Sequence, residues 1–579
     1  FHTALTSTYT VDTAGNTRVD HNFRIRNNTP EYFINSYSLR LGTEAISEIV
    51  VTSGDQWLTP KITQSGGSTQ IEIKFPDKVL GKDKVRQFRV SYLNPVMSEV
   101  NGQVLETFIP AMGSAENYNE HKVVLITPLQ FGHPSRIKPD NFQIKQDGQN
   151  FVLTYNNLGS EGISAIFGSS QVFRLGIRYH LDNPHSQPAI TQVSLPPDTA
   201  FQKMHYHVLE PRPEEITSDP DGNWIATFYL PANDTVEVNI ELSALVSLEE
   251  LHPWLNPPPI AEHTNKQAFW EKDHREILEV AEQHQTPEAI YQFMVDELEY
   301  TQENLTQQLE RLGALETLRN PTLATCQEFT DLFIAVARAN QIPARRATGY
   351  AHSNDPVLQP LSLVTDILHA WPEYFHAEQQ RWVPIDPTWG NTMKGVDYFH
   401  QFDLKHIVFA YNGRSSRLPL AAGNYKLPNQ ESKDLQVEFD QEFPEQEPSI
   451  SLSLKPRKLF GFIKLPSWYE LAIKNQTGQA WYHNIVEIEA LQSDDYSLTI
   501  QPTQTEIILL PWQQQTLAVQ VYNEGRWLPQ NNQIKVNLQQ GETTITETFP
   551  IKTTKQPAPQ LNQLISETIS HDQPVQLQY

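Results

Sequence analysis

One cysteine, Cys326, occurs in 579 residues. A single thiol cannot close an internal disulfide, so no disulfide framework staples the fold and none reports the redox compartment. Nor can one thiolate build a structural zinc site, and the 19 histidines are scattered, so neither a metal nor another cofactor is expected. A lone reduced thiol fits a reactive residue better than a scaffold. Positive charge is also scarce: 43 Lys and Arg against 68 Asp and Glu leave a net charge of −25. Phosphate backbones and anionic head groups would repel such a surface, which argues against nucleic acid as a partner. Long apolar runs are missing too. The run nearest the cysteine, Leu332 to Ala337, falls far short of the roughly 20 residues a membrane-spanning helix needs, so no span is expected in this chain. The first residue is Phe1 rather than methionine, as expected of a processed precursor or a trimmed chain. A removed signal peptide or anchor would place the protein outside the cytoplasm or at the cell surface.

What is present divides the chain into several domains, since single cores rarely grow past about 250 residues. Residues 1–250 alternate apolar and polar side chains, as in Val19, His21, Phe23 and Ile25, in Ile71, Ile73 and Phe75, and in Val236, Val238, Ile240 and Leu242. Turn residues punctuate the pattern, which predicts antiparallel β-sandwich structure, either one large domain or two in tandem divided near 101–127. These β modules read as scaffold, with a carbohydrate- or protein-binding role as the functional alternative. Asn256-Pro257-Pro258-Pro259 is a stiff break. From 259 to 427 the period becomes helical, with Phe269, Trp270, Ile277, Leu278 and Ala281 on one face and Thr286-Pro287-Glu288 opening a second helix that bears Ile290, Phe293, Met294 and Leu298. A central α+β domain is predicted there. Residues 351–366 read as a polar loop beside its cleft, with His352 as a surface residue. Residues 428–449, rich in Gln, Glu, Asp and Pro, read as a linker, 450–555 as a second β-sandwich domain, and 556–579 as a loosely held tail.

The chemistry gathers in the central domain. Thr325-Cys326-Gln327-Glu328 has the form of a capping box, which puts Cys326 at the first helical position, and Phe329, Phe333, Val336 and Ala337 follow at helical spacing. The positive end of the helix dipole favours a thiolate there. Position alone does not separate a nucleophile from a cysteine packed as a small apolar residue. A nucleophilic thiol needs a base, and the base an orienting carboxylate. His369-Ala370-Trp371 opens one strand-like segment and Asp386-Pro387-Thr388-Trp389 closes the next, so a histidine and an aspartate on two adjacent strands can meet the cysteine at one sheet edge.

Thr325-Cys326-Gln327-Glu328-Phe329, Leu332-Phe333, Ala337-Arg338-Ala339, Ile342-Pro343-Ala344-Arg345, Gly349-Tyr350, His369-Ala370-Trp371, Glu373 and Trp382-Val383-Pro384-Ile385-Asp386-Pro387-Thr388-Trp389, in that order, resemble the transglutaminase-like superfamily. The likeness is strong from 325 to 389 and weaker over the helices before it. It implies a papain-like core with a Cys-His-Asp triad, matched here by Cys326, His369 and Asp386. Animal transglutaminases carry a tryptophan directly after the cysteine; this chain has Gln327 and so is similar to the microbial branch, which includes cysteine peptidases and amidases.

The resulting expectation is acyl transfer at an amide or peptide carbonyl of a protein or peptide substrate through a thioester on Cys326. Water would give hydrolysis and an amine-bearing acceptor would give transamidation. The backbone amide of Cys326 is a candidate oxyanion donor, with Gln327 and Asn320 as candidates for a second. The alternative from another class is a catalytically inactive cell-surface binding or adhesion protein that uses the same fold as a scaffold.

Overall fold

The computed structural model describes residues 1–551 except 114–117, 157, 159–160, 302–309, 354–365, 393–396, 401, 428–431, 460–462, 492–497 and 524–531. The expected tail from 556 to 579, most of the polar loop expected between 351 and 366, and the first residues of the expected linker lie outside the described residues. The chain divides into two compact units. One comprises Phe1–Val172, Ser247–Glu249 and Phe439–Gln441; the other comprises Phe173–Val246, Glu250–Glu438 and Glu442–Tyr579.

In the first unit, alternation along each strand buries one face, as in Thr17–Arg26, where Val19, Phe23 and Ile25 are buried and Asn22, Arg24 and Arg26 are exposed. Eight strands form one sheet in the order Gln143–Asp147, Asn150–Asn156, Glu120–Pro128, His2–Val11, Thr17–Arg26, Val85–Asn94, Ser47–Ser53 and Gln56–Leu58. His2–Val11 and Glu120–Pro128 pair in parallel, and the other pairings are antiparallel. The stretch 101–127, where the sequence leaves room for a division, thus supplies most of an interior strand of this sheet. Two smaller sheets pack on the same apolar cluster, in which Ile71, Val90, Leu105, Leu125 and Leu153 are fully buried.

The second unit carries three assemblies. The first consists of a sheet of Gln202–Glu210, Asp234–Ser247 and Ser170–Asn183, extended by the edge strand Leu435–Asp440, all of it in this unit except residues 170–172, 247 and 439–440, and a second sheet of Ala189–Leu195, Trp224–Leu230 and Glu215–Ser218. Leu435–Asp440 falls inside the stretch read as a linker. A short edge strand with one buried residue, Leu435, leaves almost no apolar signal. At the other end, two four-stranded sheets spanning Ile450–Leu459 to Thr543–Ile551 close over a shared core that includes Leu471, Val519, Val521, Val536 and Leu538.

Between them in sequence lies the α+β core. Its helices are α1 (Arg275–Gln283), α2 (Pro287–Glu297), α3 (Ala314–Arg319), α4 (Cys326–Ala339) and α5 (Pro387–Thr392). Its strands are β1 (Ala344–Ala351), β2 (His369–His376), β3 (Arg381–Pro384) and β4 (His406–Asn412), antiparallel in the order β3-β2-β1-β4. The Thr286 hydroxyl caps α2 by accepting the Ala289 N–H at 3.2 Å. On α1, Ile277 and Ala281 are buried but Leu278 is 46% exposed, because one residue turns the side chain about 100° around the helix. Trp270 packs in the same core from the segment before α1 and donates its indole N–H to Asp331 Oδ1 at 2.9 Å.

α4 is the central element. Every residue from Glu328 to Arg338 is buried, so the helix is enclosed on its polar side as well as its apolar one. Phe329 and Phe333 are fully buried, and such rings contribute about 1.5–3 kcal/mol each. The buried polar groups are paired as enclosure requires. Asp331 also accepts from Arg311 Nε at 2.6 Å, and the Arg338 guanidinium donates to the carbonyls of Asn265, Ala344 and Gly413 at 2.7 Å each.

Candidate active site

The start of α4 presents Cys326, 5% exposed, at the first helical position. The capping box is formed: Thr325 Oγ1 accepts the Gln327 N–H at 3.3 Å, and Glu328 Oε2 accepts the Thr325 N–H at 3.1 Å. Glu328 also accepts the Leu312 N–H at 3.2 Å, which ties the helix start to the preceding segment. The Cys326 side chain therefore projects from a fixed turn, beside backbone N–H groups that lack intrahelical acceptors.

His369 is the first residue of β2, opposite Gly349 of β1. Its Nε2 lies 2.7 Å from Asp386 Oδ2, and the Cys326 side chain is close enough to favour the charged ring. With Nε2 turned to the carboxylate, Nδ1 is the nitrogen left for proton exchange with a thiol. Asp386 does not sit on the adjacent strand. It follows β3, and its Oδ1 accepts the Trp389 N–H at 3.0 Å at the start of α5. The Asp-Pro-Thr-Trp order explains this: Pro387 suits a first helical turn, and an aspartate ahead of it caps that turn.

A second imidazole reaches the same carboxylate. His406 Nε2, from β4, is 3.2 Å from Asp386 Oδ2, and His406 Nδ1 is 2.7 Å from Asp403 Oδ1. β4 can come this close because β1 has glycine at 349. A Cβ there would meet the Ile407 carbonyl oxygen at 1.8 Å. Trp371 and Trp389 flank His369, with ring centroids 5.8 and 5.5 Å away. Asp386 is fully buried and His406 is 3% exposed.

Burial opposes charge on His369, but the Asp386 carboxylate and then the Cys326 side chain outweigh it and raise the imidazole pKa to about 10. Burial likewise opposes charge on Asp386, and the two imidazoles, His369 foremost, hold its carboxyl well below the usual carboxylate range. A third charged group sits near the thiol. Arg346 of β1 donates to Asn412 Oδ1 at 2.9 and 3.2 Å; burial first, then Arg311, pushes its guanidinium down to about 10 against the pull of Asp331, Cys326 and Glu328.

Among the described residues, His369, Asp386 and His406 form a cluster whose ligand-type atoms lie within 4.8 Å of one another. The two short contacts to one oxygen have the lengths of N–H···O hydrogen bonds, and the group reads as a proton-holding relay rather than a ligand set. Of the oxyanion candidates, the Cys326 amide lies at the helix start, and Gln327 is exposed beside it. Asn320 donates its side-chain amide to Glu316 O at 3.0 Å, closing its own helix. Sequence reasoning missed His406, Asp403 and Arg346. The Asp403-to-His406 spacing and the paired arginines at 345 and 346 were the available signals, and neither is distinctive.

Residues 275–387 match the model of the Transglutaminase-like superfamily. No curated protein matches the chain. Solved structures similar to it include a candidate cysteine protease from Cytophaga hutchinsonii, 17% identical, covering 48% of this chain and 94% of its own with a TM-score of 0.33. Another is a candidate protease from Parabacteroides distasonis ATCC 8503, 9% identical, covering 96% of this chain and 94% of its own with a TM-score of 0.18. No helix among the described residues is long and apolar enough to cross a membrane. Helix α4 with its cysteine, the antiparallel sheet carrying His369 and the turn carrying Asp386 all fall in or across the matched segment, and residues 275–387 form a transglutaminase-like core.

Proposed function

We propose that the chain is a thiol enzyme that cleaves amide or peptide bonds in protein substrates, with Cys326 as nucleophile, His369 as general acid and base, and Asp386 as the group that orients the imidazole. The observation that carries this reading is the 2.7 Å contact of His369 Nε2 with Asp386 Oδ2 on a ring whose charged form the nearby Cys326 side chain favours. The thiolate sulfur attacks the carbonyl carbon, and the oxyanion turns toward the N–H groups at the start of α4. The C–N bond breaks as the imidazolium gives its proton to the departing amine, leaving a thioester. Water, losing its proton to His369, then attacks; the C–S bond breaks, releasing the acid and the thiol.

Hydrolysis is favoured over amine transfer because the position after the nucleophile is the exposed, polar Gln327, which does nothing to limit water at the thioester. The acidic surface would draw lysine amines toward the molecule, but steering alone does not exclude water. The full chain is incubated with a glutamine-rich protein and a fluorescent primary amine, and fragment release and label incorporation are followed together. Fragments lost with Cys326→Ala support hydrolysis. Efficient labelling without fragments, lost in the same variant, makes the protein an amine-transferring enzyme, and neither product from a folded protein favours the binding scaffold.

A further inference from the structure

Resting on the triad reading above, we propose that His406, backed by Asp403, is a positioning residue for the Cys326 chemistry. It fixes Asp386 Oδ2 between two imidazoles and, as an imidazolium, limits the negative charge that Asp386 turns toward His369.

Both nitrogens of the His406 ring face carboxylate oxygens, Nε2 toward Asp386 Oδ2 at 3.2 Å and Nδ1 toward Asp403 Oδ1 at 2.7 Å. A carboxylate accepts and does not donate, so two such contacts call for two ring protons and a positive ring. Asp403 Oδ1 also takes the Lys405 N–H at 2.8 Å, while its Oδ2 is buried with no hydrogen-bond partner among the described residues. A carboxylate held in this way needs an adjacent cation. Burial disfavours the charged His406 ring, but Asp403 and then Asp386 outweigh it and raise its pKa. The remaining walls are aromatic: Trp389, Phe402 and Trp371 stand 4.5, 4.6 and 4.9 Å from the ring, centroid to centroid.

Among the described residues, other charged or titratable groups near this relay include Cys326 and Glu328 of α4, Tyr291 of α2, Tyr300 after it, Arg346 of β1, Tyr398 and Lys405. Within the relay, a second cation on Asp386 Oδ2 has two effects. It prevents the carboxylate from following the His369 ring out of line, and it lowers the affinity of His369 for its own proton, bringing the ring closer to the balance a general acid and base needs. His406 and Asp403 lie beyond the segment 275–387 that matches the superfamily.

Because Cys326 is the sole cysteine, its alkylation by iodoacetamide reports this site alone. The rate is followed against pH in the full chain and in His369→Ala, His406→Phe, His406→Gln and Asp403→Asn. The step that His369→Ala abolishes should move to higher pH by about one unit in His406→Phe and His406→Gln, as expected when a neighbouring charge is removed, and by less in Asp403→Asn. At low pH, where the step is not sampled, His406→Gln should react more nearly like the parent protein than His406→Phe, since glutamine keeps an N–H toward Asp386. A step that His369→Ala removes but His406→Gln leaves in place overturns this proposal alone. A parent profile identical to that of His369→Ala overturns the triad and this proposal with it. Should His406→Phe not fold, His406→Gln decides, together with nitrogen NMR of histidine-labelled protein at neutral pH. Two protonated nitrogens on His406 are expected there, and one bare nitrogen overturns the imidazolium.

Discussion

Asp386 Oδ1 accepts the Trp389 N–H at 3.0 Å, so one oxygen of the carboxylate is pinned to the first turn of α5 while the other is left to the histidines. The plane of the carboxylate is thereby set by backbone, and His369 inherits its orientation from a helix start rather than from a strand.

Asp386→Asn tests that inheritance. The variant keeps shape and volume in a fully buried position, yet it removes the charge that balances the imidazolium and sets a donor or a weaker acceptor against Nε2. The rate of amide cleavage should fall by up to about ten-thousand-fold with the fold retained, as loss of the orienting carboxylate does in other triads. Circular dichroism alongside the rate measurement checks this. A rate within a factor of about three of the parent protein would show that His369 does not depend on Asp386.

The same pair makes stability depend on pH. The His369 pKa in the folded protein, about 10, lies above the ordinary imidazole value. Its contribution is therefore complete below about pH 6.5 and is lost as the pH rises through the folded value. Asp386 is shifted downward, so its contribution is present above about pH 3.9 and is lost as the pH falls toward its folded value. Urea midpoints measured from pH 4 to pH 10.5 should decline at the alkaline end, and His369→Ala should flatten that decline. An alkaline decline of the same size in His369→Ala would assign it to other groups.

Thr325 and Glu328 form the cap that holds the nucleophile in place. Thr325→Ala should cost about 1 kcal/mol in urea unfolding, the usual value of a lost helix cap. It should also slow alkylation of Cys326, because the first turn frays. Thr325→Ser, which keeps the hydroxyl, should behave like the parent protein, and equal losses in the two variants would trace the effect to the missing methyl group.

The helix start was legible because capping is local: four consecutive residues, Thr325 to Glu328, specify it. The strand alternation in 17–26 and the cap at Thr286 were legible for the same reason. Asp386 was misplaced on a strand because Trp382-Val383-Pro384-Ile385 reads as extended up to the carboxylate, and only the hydrogen bond to Trp389 shows where the turn begins. His406 was invisible. Its partners sit 20 residues away at Asp386 and three away at Asp403, and what joins them is the β1–β4 pairing, a non-local contact that no periodicity announces. Leu435–Asp440 was hidden by composition, since polar residues dominate an edge strand.

The proline run after Asn256 reads in the sequence as a break, and its neighbours in the core alter what should be expected of it. Asn256 Oδ1 accepts the Trp382 N–H at 3.3 Å, and the Pro257 carbonyl accepts the Trp382 indole N–H at 2.9 Å. Trp382 is itself buried, at 2% exposure, with the Arg345 guanidinium 4.3 Å over its ring. A segment docked by two hydrogen bonds on a buried tryptophan opens only when that tryptophan is released, and a protease needs an opened backbone. Limited proteolysis of the parent protein should therefore spare 256–259 in early digests. Trp382→Phe, which keeps a ring but not the indole donor, should raise cleavage in the flanking residues at little cost in global stability. Trp382→Ala should cost about 3–5 kcal/mol and expose the same site. Mass spectrometry of the first fragments decides: early cuts in this segment of the parent protein would show that the docking contacts do not hold in solution.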